Sequence, residues 1–330
     1  MRVLVTGATG ALGRHVVDHL RDAGHGVHAL VMPSDRAGAR WADDSAVPAH
    51  PGDVRDMSLM RGVLQEAAAD AVVHLAGVPG VRTDQTEDMA AVNIDGAQAV
   101  ATACLKTGVR LVHVSSASAV GLCPDSRPIE EDFDFDRHRI THPYPVTKRR
   151  GQQRVQDAIR DGLDGVVLNP GAVLLPGDPS AHAWSALPRM LADGLRWSPA
   201  GGFGFVGRQT LMVAIERALT LPRSPEPMLL VDQSTSYAAL FTMVAREMGL
   251  SGVRVLPRPL TSAALGLASL LKSRAGVRIE PDRSLVPLVN WPNVYGGARS
   301  LSRLGISPRP LREAVYDLVS TASTAKRKLS

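Results

Sequence analysis

The tightest constraint on this chain lies at its start. Arg2–Val5 is a short, β-branched apolar run that leads directly into Thr6-Gly7-Ala8-Thr9-Gly10-Ala11-Leu12-Gly13. Ala11–Ala23 then carries Leu12, Val16, Val17 and Leu20 at helical spacing and stops at Gly24. A strand, a glycine-rich turn and a helix in that order leave few options. One glycine makes the tight turn, a second lets backbone approach a pyrophosphate, and a third lets the helix pack closely on the sheet. Free N–H groups at the helix start then face the phosphates. The turn predicts a bound dinucleotide, with Gly7, Thr9, Gly10, Ala11, Leu12 and Gly13 as contacts.

Short apolar runs alternate with helical patterns through the first half. Val27–Val31, Ala71–Leu75, Leu111–Val114 and Val166–Leu168 read as strands; Met57–Ala69, Met89–Thr107 and Tyr144–Arg160 read as helices. This alternation predicts an α/β fold, a Rossmann-type doubly wound parallel sheet. After Asn169-Pro170-Gly171 prolines and glycines punctuate the chain, and Leu229–Val231, Tyr237–Met248 and Leu311–Ser320 are the clear elements left. The expected division is a dinucleotide-binding domain over 1–168, with 209–232 returning to it. A smaller, mostly helical substrate lobe takes 169–208 and 233–330.

Composition narrows the function classes. At 330 residues, with 45% apolar and 21% charged, the chain can bury a large core. No apolar run reaches the roughly 20 residues of a membrane span. The short burst after Arg2 ends too early for a signal peptide, so a cytoplasmic location is expected. Cys104 and Cys123 make neither a disulfide framework nor a metal cluster. The net charge of +5 is scattered and aromatics are only 4%, so no nucleic-acid surface is expected.

The T-G-x-x-G-x-x-G spacing of Gly7, Gly10 and Gly13 resembles the extended short-chain dehydrogenase/reductase superfamily, and further marks follow in order. They are Gly52-Asp53-Val54, His74-Leu75-Ala76-Gly77, Val92-Asn93-Ile94-Asp95-Gly96, Val114-Ser115-Ser116 and Tyr144-x-x-x-Lys148. The resemblance implies that Asp53 and Val54 meet the adenine, and that Leu75, Ala76 and Gly77 lie beside the adenosine. It adds Asn93, Val114, Pro170 and Val173 to the cofactor contacts. Tyr144, Ser116 and Lys148 are the implied catalytic residues, with Tyr144 and Lys148 also touching the cofactor. Counting back from Gly121 selects Ser116, with Ser115 and Ser118 as alternatives.

Residues four apart share a helix face, so the Lys148 ammonium is expected close to the Tyr144 phenol, favouring its phenolate. Such a phenol can exchange a proton with a carbonyl or alcohol. Pro143 and Pro145 flank Tyr144 and suggest that it sits at the helix start. Val31 stands at the family's acidic position and Met32 at its common arginine position, so neither diagnostic residue is present. With no acid there to repel a 2′-phosphate, NADP is preferred over NAD, with Arg36 ahead of Arg40 and Arg14 as its partner. Arg208–Glu216 lacks the paired acids of nucleotide-sugar enzymes, and Leu260–Leu271 is apolar. A ketoreductase or alcohol dehydrogenase for a small apolar substrate, steroid-like or polyketide-like, is expected. A nucleotide-sugar epimerase or dehydratase, or a dinucleotide-sensing module without catalysis, stands as the alternative. The resemblance also implies a homodimer through Met89–Thr107 and Tyr144–Arg160.

Overall fold

The computed structural model describes residues 1–80, 86–177, 184–260 and 283–329. The parallel strands are β1 (Arg2–Thr6), β2 (Gly26–Val31), β3 (Ala49–Pro51), β4 (Ala71–His74), β5 (Arg110–Val114) and β6 (Gly165–Pro170). Valine- and leucine-rich runs, mostly buried, make all of these but the edge strand β3, which is Ala-His-Pro with only His50 buried. The chain then forms β7 (Ala172–Leu174), β8 (Trp197–Ser198) and β9 (Gly202–Gly207), and returns with β10 (Met228–Leu230) to pair parallel with β6. The resulting seven-stranded sheet has the order β10-β6-β5-β4-β1-β2-β3.

The order reverses between β1 and β4, where the chain stops building outward on one side and begins on the other. A crevice opens outside the carboxyl ends of strands at such a point. Val3 and Val5 of β1 join a core with Val16, Val17 and Leu20 of α1 (Ala11–Asp22), while Leu4 faces the opposite core. Helix α8 (Arg208–Ala218) packs beside α1, where His19 Nε2 lies 2.8 Å from Glu216.

The run expected as one helix over Met89–Thr107 has three parts. They are α4 (Thr86–Ala90, after α2, Arg36–Asp44, and α3, Met57–Glu66), a π-helical turn over Ala91–Gly96, and α5 (Ala97–Thr107). The wider turn pushes the Asn93 carbonyl against α6 (Pro143–Arg160), at the spot where Gly151 has no side chain. A Cβ on Gly151 would lie 1.8 Å from that oxygen.

The second lobe contains strands that the sequence reading passed over. β9 pairs parallel with β7 and antiparallel with β11 (Gln233–Ser236). Its sequence Gly-Phe-Gly-Phe-Val-Gly reads as punctuation, yet its glycines are needed for close packing. A Cβ on Gly204 would meet Val231 at 2.9 Å, and one on Gly171 would meet the Gly204 carbonyl at 2.3 Å. Phe203, Phe205, Trp184 and Tyr237 gather around β9 with Tyr295 and Trp291. The apolar run Leu260–Leu271 lies, from residue 261 onward, outside the described residues.

Gly151→Ala is expected to destabilise the fold by about 3 kcal/mol, because a new methyl would overpack a helix crossing against backbone. Urea unfolding measures this directly; an unchanged midpoint would refute the tight crossing.

Candidate active site

The glycine turn lies at the carboxyl end of β1, in the crevice at the strand reversal. Gly7 has φ +70°, and its Cα approaches Ala76 so closely that a Cβ would lie 2.8 Å from the Ala76 nitrogen. A Cβ on Gly13 would lie 2.0 Å from the Gly7 carbonyl, so only glycine lets α1 sit this close to β1. Gly10 is exposed at the N-cap of α1, with no side-chain cap and no acid in the first turn. The first N–H groups of α1, including those of Ala11 and Leu12, are thus left for an external anion. Thr9 completes this loop, and its carbonyl accepts a 3.0 Å bond from Arg14 Nε. A dinucleotide pyrophosphate fits this cradle.

The adenosine corner differs from the sequence reading. Val31 is buried within β2 and Met32 is exposed beyond it. Arg36 opens α2 as an exposed residue, and Asp35 caps that helix by accepting from the Gly38 nitrogen at 2.8 Å. A Cβ on buried Gly38 would touch both the Asp35 carboxylate and the Thr9 methyl, so the acid stands next to the glycine turn. The expectation that no acid occupies this corner is therefore corrected: Asp35 does, four residues beyond the strand, where β2 alone gives no signal. The Arg14 guanidinium lies 5.4 Å from the Trp41 ring centroid in the same corner. Asp53 accepts from Arg55, which holds its carboxyl below the usual range, and Val54 is a buried core residue.

Leu75 and Ala76 continue from β4 over the turn, donating to the Thr6 carbonyl at 3.1 Å and Thr6 Oγ1 at 3.3 Å. Gly77 follows, with Asn93 Oδ1 3.0 Å and Lys148 Nζ 3.8 Å from the place of its missing Cβ. Asn93 is buried and its amide is committed within the protein, to Val78 and Thr147. Pro170 and Val173 are buried at the end of β6 and in β7.

At the head of α6, His142 caps the helix, Pro143 takes the first position, and Tyr144 follows in the first turn. The Tyr144 phenol lies close enough to Ser116 for that serine to lower it against the effect of burial. Ser116 Oγ also lies 2.9 Å from Ser118 Oγ, whereas the buried Ser115 hydroxyl has no partner among the described residues. Of the three candidate serines, geometry selects Ser116. Asn169, unassigned from sequence, donates to the Ser116 carbonyl at 2.6 Å and to Gln152 at 2.7 Å, fixing that serine from beneath.

Lys148 follows one turn later on the same helix. Its buried Nζ donates to the Val114 carbonyl at 3.2 Å. Burial raises the Tyr144 phenol above its ordinary value, and the opposing influence is the Ser116 hydrogen bond. The phenol is therefore held protonated at neutral pH, not poised as a phenolate. Burial also brings Lys148 down from 10.5 to about 8, which leaves it charged near pH 7. Beneath it, Thr6, His74 and His113 form a buried row across β1, β4 and β5. Thr6 Oγ1 lies 2.7 Å from His74 Nδ1, and the two histidine rings stack at 5.2 Å. Burial, helped by the Lys148 charge, depresses His74 to about 3. His113 is likewise well below its ordinary value, first from burial and then from His74 and Lys148. Both rings stay neutral.

A model of the NAD dependent epimerase/dehydratase family matches residues 3–201. UDP-glucose 4-epimerase of Azospirillum brasilense is 34% identical over 190 residues, 57% of this chain and 53% of that protein, so the match spans about half its length. Sterol demethylase protein B of Methylococcus capsulatus is 27% identical over 338 residues, covering 97% of this chain and 98% of that one. The UDP-glucose 4-epimerase of Thermotoga maritima, solved with UDP-glucose, has a TM-score of 0.79 at 19% identity, covering 99% of this chain and all of that one. At that identity the likeness shows the fold. No helix among the described residues is long and apolar enough to cross a membrane.

The depressed Lys148 has a consequence for stability. The folded chain gives up this proton near pH 8 and the unfolded chain near 10.5, so the folded state binds fewer protons in between. Stability conferred at this position rises with pH across that window, and the cost of the buried charge is fully present below it. The unfolding free energy of wild type relative to Lys148→Met should climb between pH 8 and 10; a flat difference would contradict the buried-ammonium assignment.

Proposed function

Because the chain belongs to the NAD dependent epimerase/dehydratase family, we propose that it is a dinucleotide-dependent oxidoreductase, a ketoreductase or alcohol dehydrogenase for an apolar substrate. The single observation that carries this reading is Tyr144 in the first turn of α6, close enough to Ser116 to feel its hydroxyl, with an open, uncapped glycine turn in the same crevice. When bound, the dinucleotide supplies or accepts a hydride. Tyr144 holds the proton that the substrate oxygen takes up on reduction. Ser116 steadies that oxygen with its hydroxyl and stabilises the charge developing on it. Lys148 keeps a positive charge under the site, anchored on Val114.

The substrate class rests on two supports. Sterol demethylase protein B aligns along nearly the whole chain, and the core cluster that begins just after Ser116, at Ala117 and Val120, has partly buried aromatic side chains packed on it, including Phe133, Trp184 and Trp291. A sterol-like or comparable apolar ketone or alcohol suits that surface. A nucleotide-sugar epimerase is the second reading, favoured by the epimerase of Azospirillum brasilense. It is weakened by α8, where Gln209 and Thr210 stand in place of paired acids. For the cofactor, Arg14, Arg36 and Arg40 favour the 2′-phosphate of NADP. Asp35 and the family's NAD dependence favour NAD.

Fluorescence titration with NADPH and NADH, followed by apolar ketone and nucleotide-sugar panels, separates these readings. Tyr144→Phe should cut kcat/KM by about 10²- to 10⁴-fold, the scale of general acid catalysis, with cofactor affinity little changed. Turnover unaffected by Tyr144→Phe would end the catalytic assignment. Tighter binding of NADH than NADPH would reverse the cofactor preference.

The same reading pairs two copies through α5 and α6. Exposed Asp95 in the π-helical turn before α5, with Glu87 and Asp88 of α4 beside it in sequence, complements exposed Arg150 and Arg154 on α6. Raising salt from about 0.05 M to about 0.5 M shortens the screening length several-fold, so such a dimer should weaken measurably in sedimentation equilibrium. A monomer at every salt concentration would dismiss the pairing.

A further inference from the structure

Away from the site, the second lobe carries a two-stranded ribbon with an exposed apolar surface. β8 and β12 (Arg254–Val255) pair in parallel, with Arg254 opposite Trp197. The Arg254 nitrogen donates to the Arg196 carbonyl at 2.9 Å and the Leu256 nitrogen to the Ser198 carbonyl at 2.8 Å, which fixes the ribbon. Trp197 is 47% exposed, Val255 51%, and Leu260, shortly after the ribbon, 52%. These are three of the six large apolar side chains exposed among the described residues, the others being Met1, Met32 and Tyr316. Trp41, Trp184 and Trp291 are all half-buried, so Trp197 is the exception among the tryptophans.

Cations accompany these side chains. The Arg254 guanidinium lies 6.0 Å from the Trp197 ring centroid, and Arg258, between Val255 and Leu260 in sequence, is exposed. Residues 248–279 of the sequence contain Arg254, Arg258, Lys272, Arg274 and Arg278 and neither Asp nor Glu. The acid that most closely precedes Trp197, Asp193, lies 3.8 Å from Arg189. A second copy of this ribbon laid on the first would set arginine against arginine. An anionic bilayer answers every part of the surface: an indole sits at headgroup level, guanidinium groups meet phosphates, and aliphatic tips reach the acyl boundary.

We propose that the β8–β12 ribbon is a docking surface for an anionic membrane leaflet. Trp197, Val255 and Leu260 are its apolar contacts, and Arg254 and Arg258 its phosphate contacts. The chain rests on one leaflet through this surface without crossing it. A sterol-like substrate partitions into bilayers too, so docking places the chain where such a substrate is. That consequence rests on the oxidoreductase reading above; the surface itself does not.

The test mixes the full chain with vesicles of phosphatidylcholine alone and of phosphatidylcholine with about 30% phosphatidylglycerol, at low salt. Cosedimentation should be at least about 10-fold tighter with the anionic vesicles. Arg254→Gln combined with Arg258→Gln should weaken that binding by about 10-fold or more, with the thermal midpoint unchanged. Trp197→Phe keeps an aromatic ring on the ribbon, so it should still bind yet lose most of the quenching of tryptophan fluorescence by brominated lipid. Wild-type protein that ignores anionic vesicles, full binding by the double variant, or full quenching in Trp197→Phe would overturn the proposal. Self-association without lipid that Trp197→Ser abolishes would also overturn it, giving the surface to a second copy. Absence of cofactor binding or turnover would strike the oxidoreductase reading alone and leave the vesicle measurements to decide the surface.

Discussion

The approach of α1 to the end of β1 is the contact on which the site depends. With the Gly7 carbonyl 2.0 Å from where a Gly13 Cβ would be, the helix starts against the strand and aims its first N–H groups into the crevice. The reversal of strand order between β1 and β4 creates that crevice, and the same reversal brings Leu75–Gly77 across from the turn. β5 and β6, on the far side of β4, then carry Ser116 and Asn169 to the same rim. A bulkier residue at position 13 would push α1 away from β1 and detach the anion cradle from everything assembled around it.

Beneath this rim the protein manages one buried charge. Lys148 is buried and needs a partner, which it finds in the Val114 carbonyl. Its neighbours in the sheet are two histidines, and a second buried cation next to the first would be costly. Burial and the Lys148 charge keep both rings neutral, so Thr6 can bond His74, and His113 can stack on it, without adding charge. This explains why polar residues occupy the ends of strands whose other inward positions are Val, Leu or Ala.

The parts of the site legible in the sequence are those in which a residue type carries its chemistry at a fixed local spacing. Gly7, Gly10 and Gly13 need only a strand before and a helix after; Tyr144 and Lys148 need only one helix turn. Six strands of the seven-stranded sheet followed from the same alternation of short apolar runs and helical patterns, while β3, Ala-His-Pro, has no apolar run to show it. What escaped was non-local. Asp35 is an acid four residues past β2 whose position depends on where α2 begins and on Gly38 packing against Thr9. β9 hides because its glycines serve strands and side chains far along the chain. The direction of the Tyr144 shift escaped as well, since local spacing places a lysine one turn away but does not show that the fold buries the phenol.

That last difference bears on direction of the proposed reaction. A phenol lowered by a cation would favour taking a proton from an alcohol, whereas a phenol raised by burial starts with its proton in place. Ser116 accepts or donates at the same oxygen and can keep the phenol aligned in either role. Near neutral pH the resting arrangement is therefore a protonated Tyr144 over a charged Lys148, the combination that gives a proton to a carbonyl oxygen as it gains negative charge. The apolar packing of the second lobe suits the removal of water that such a proton transfer favours.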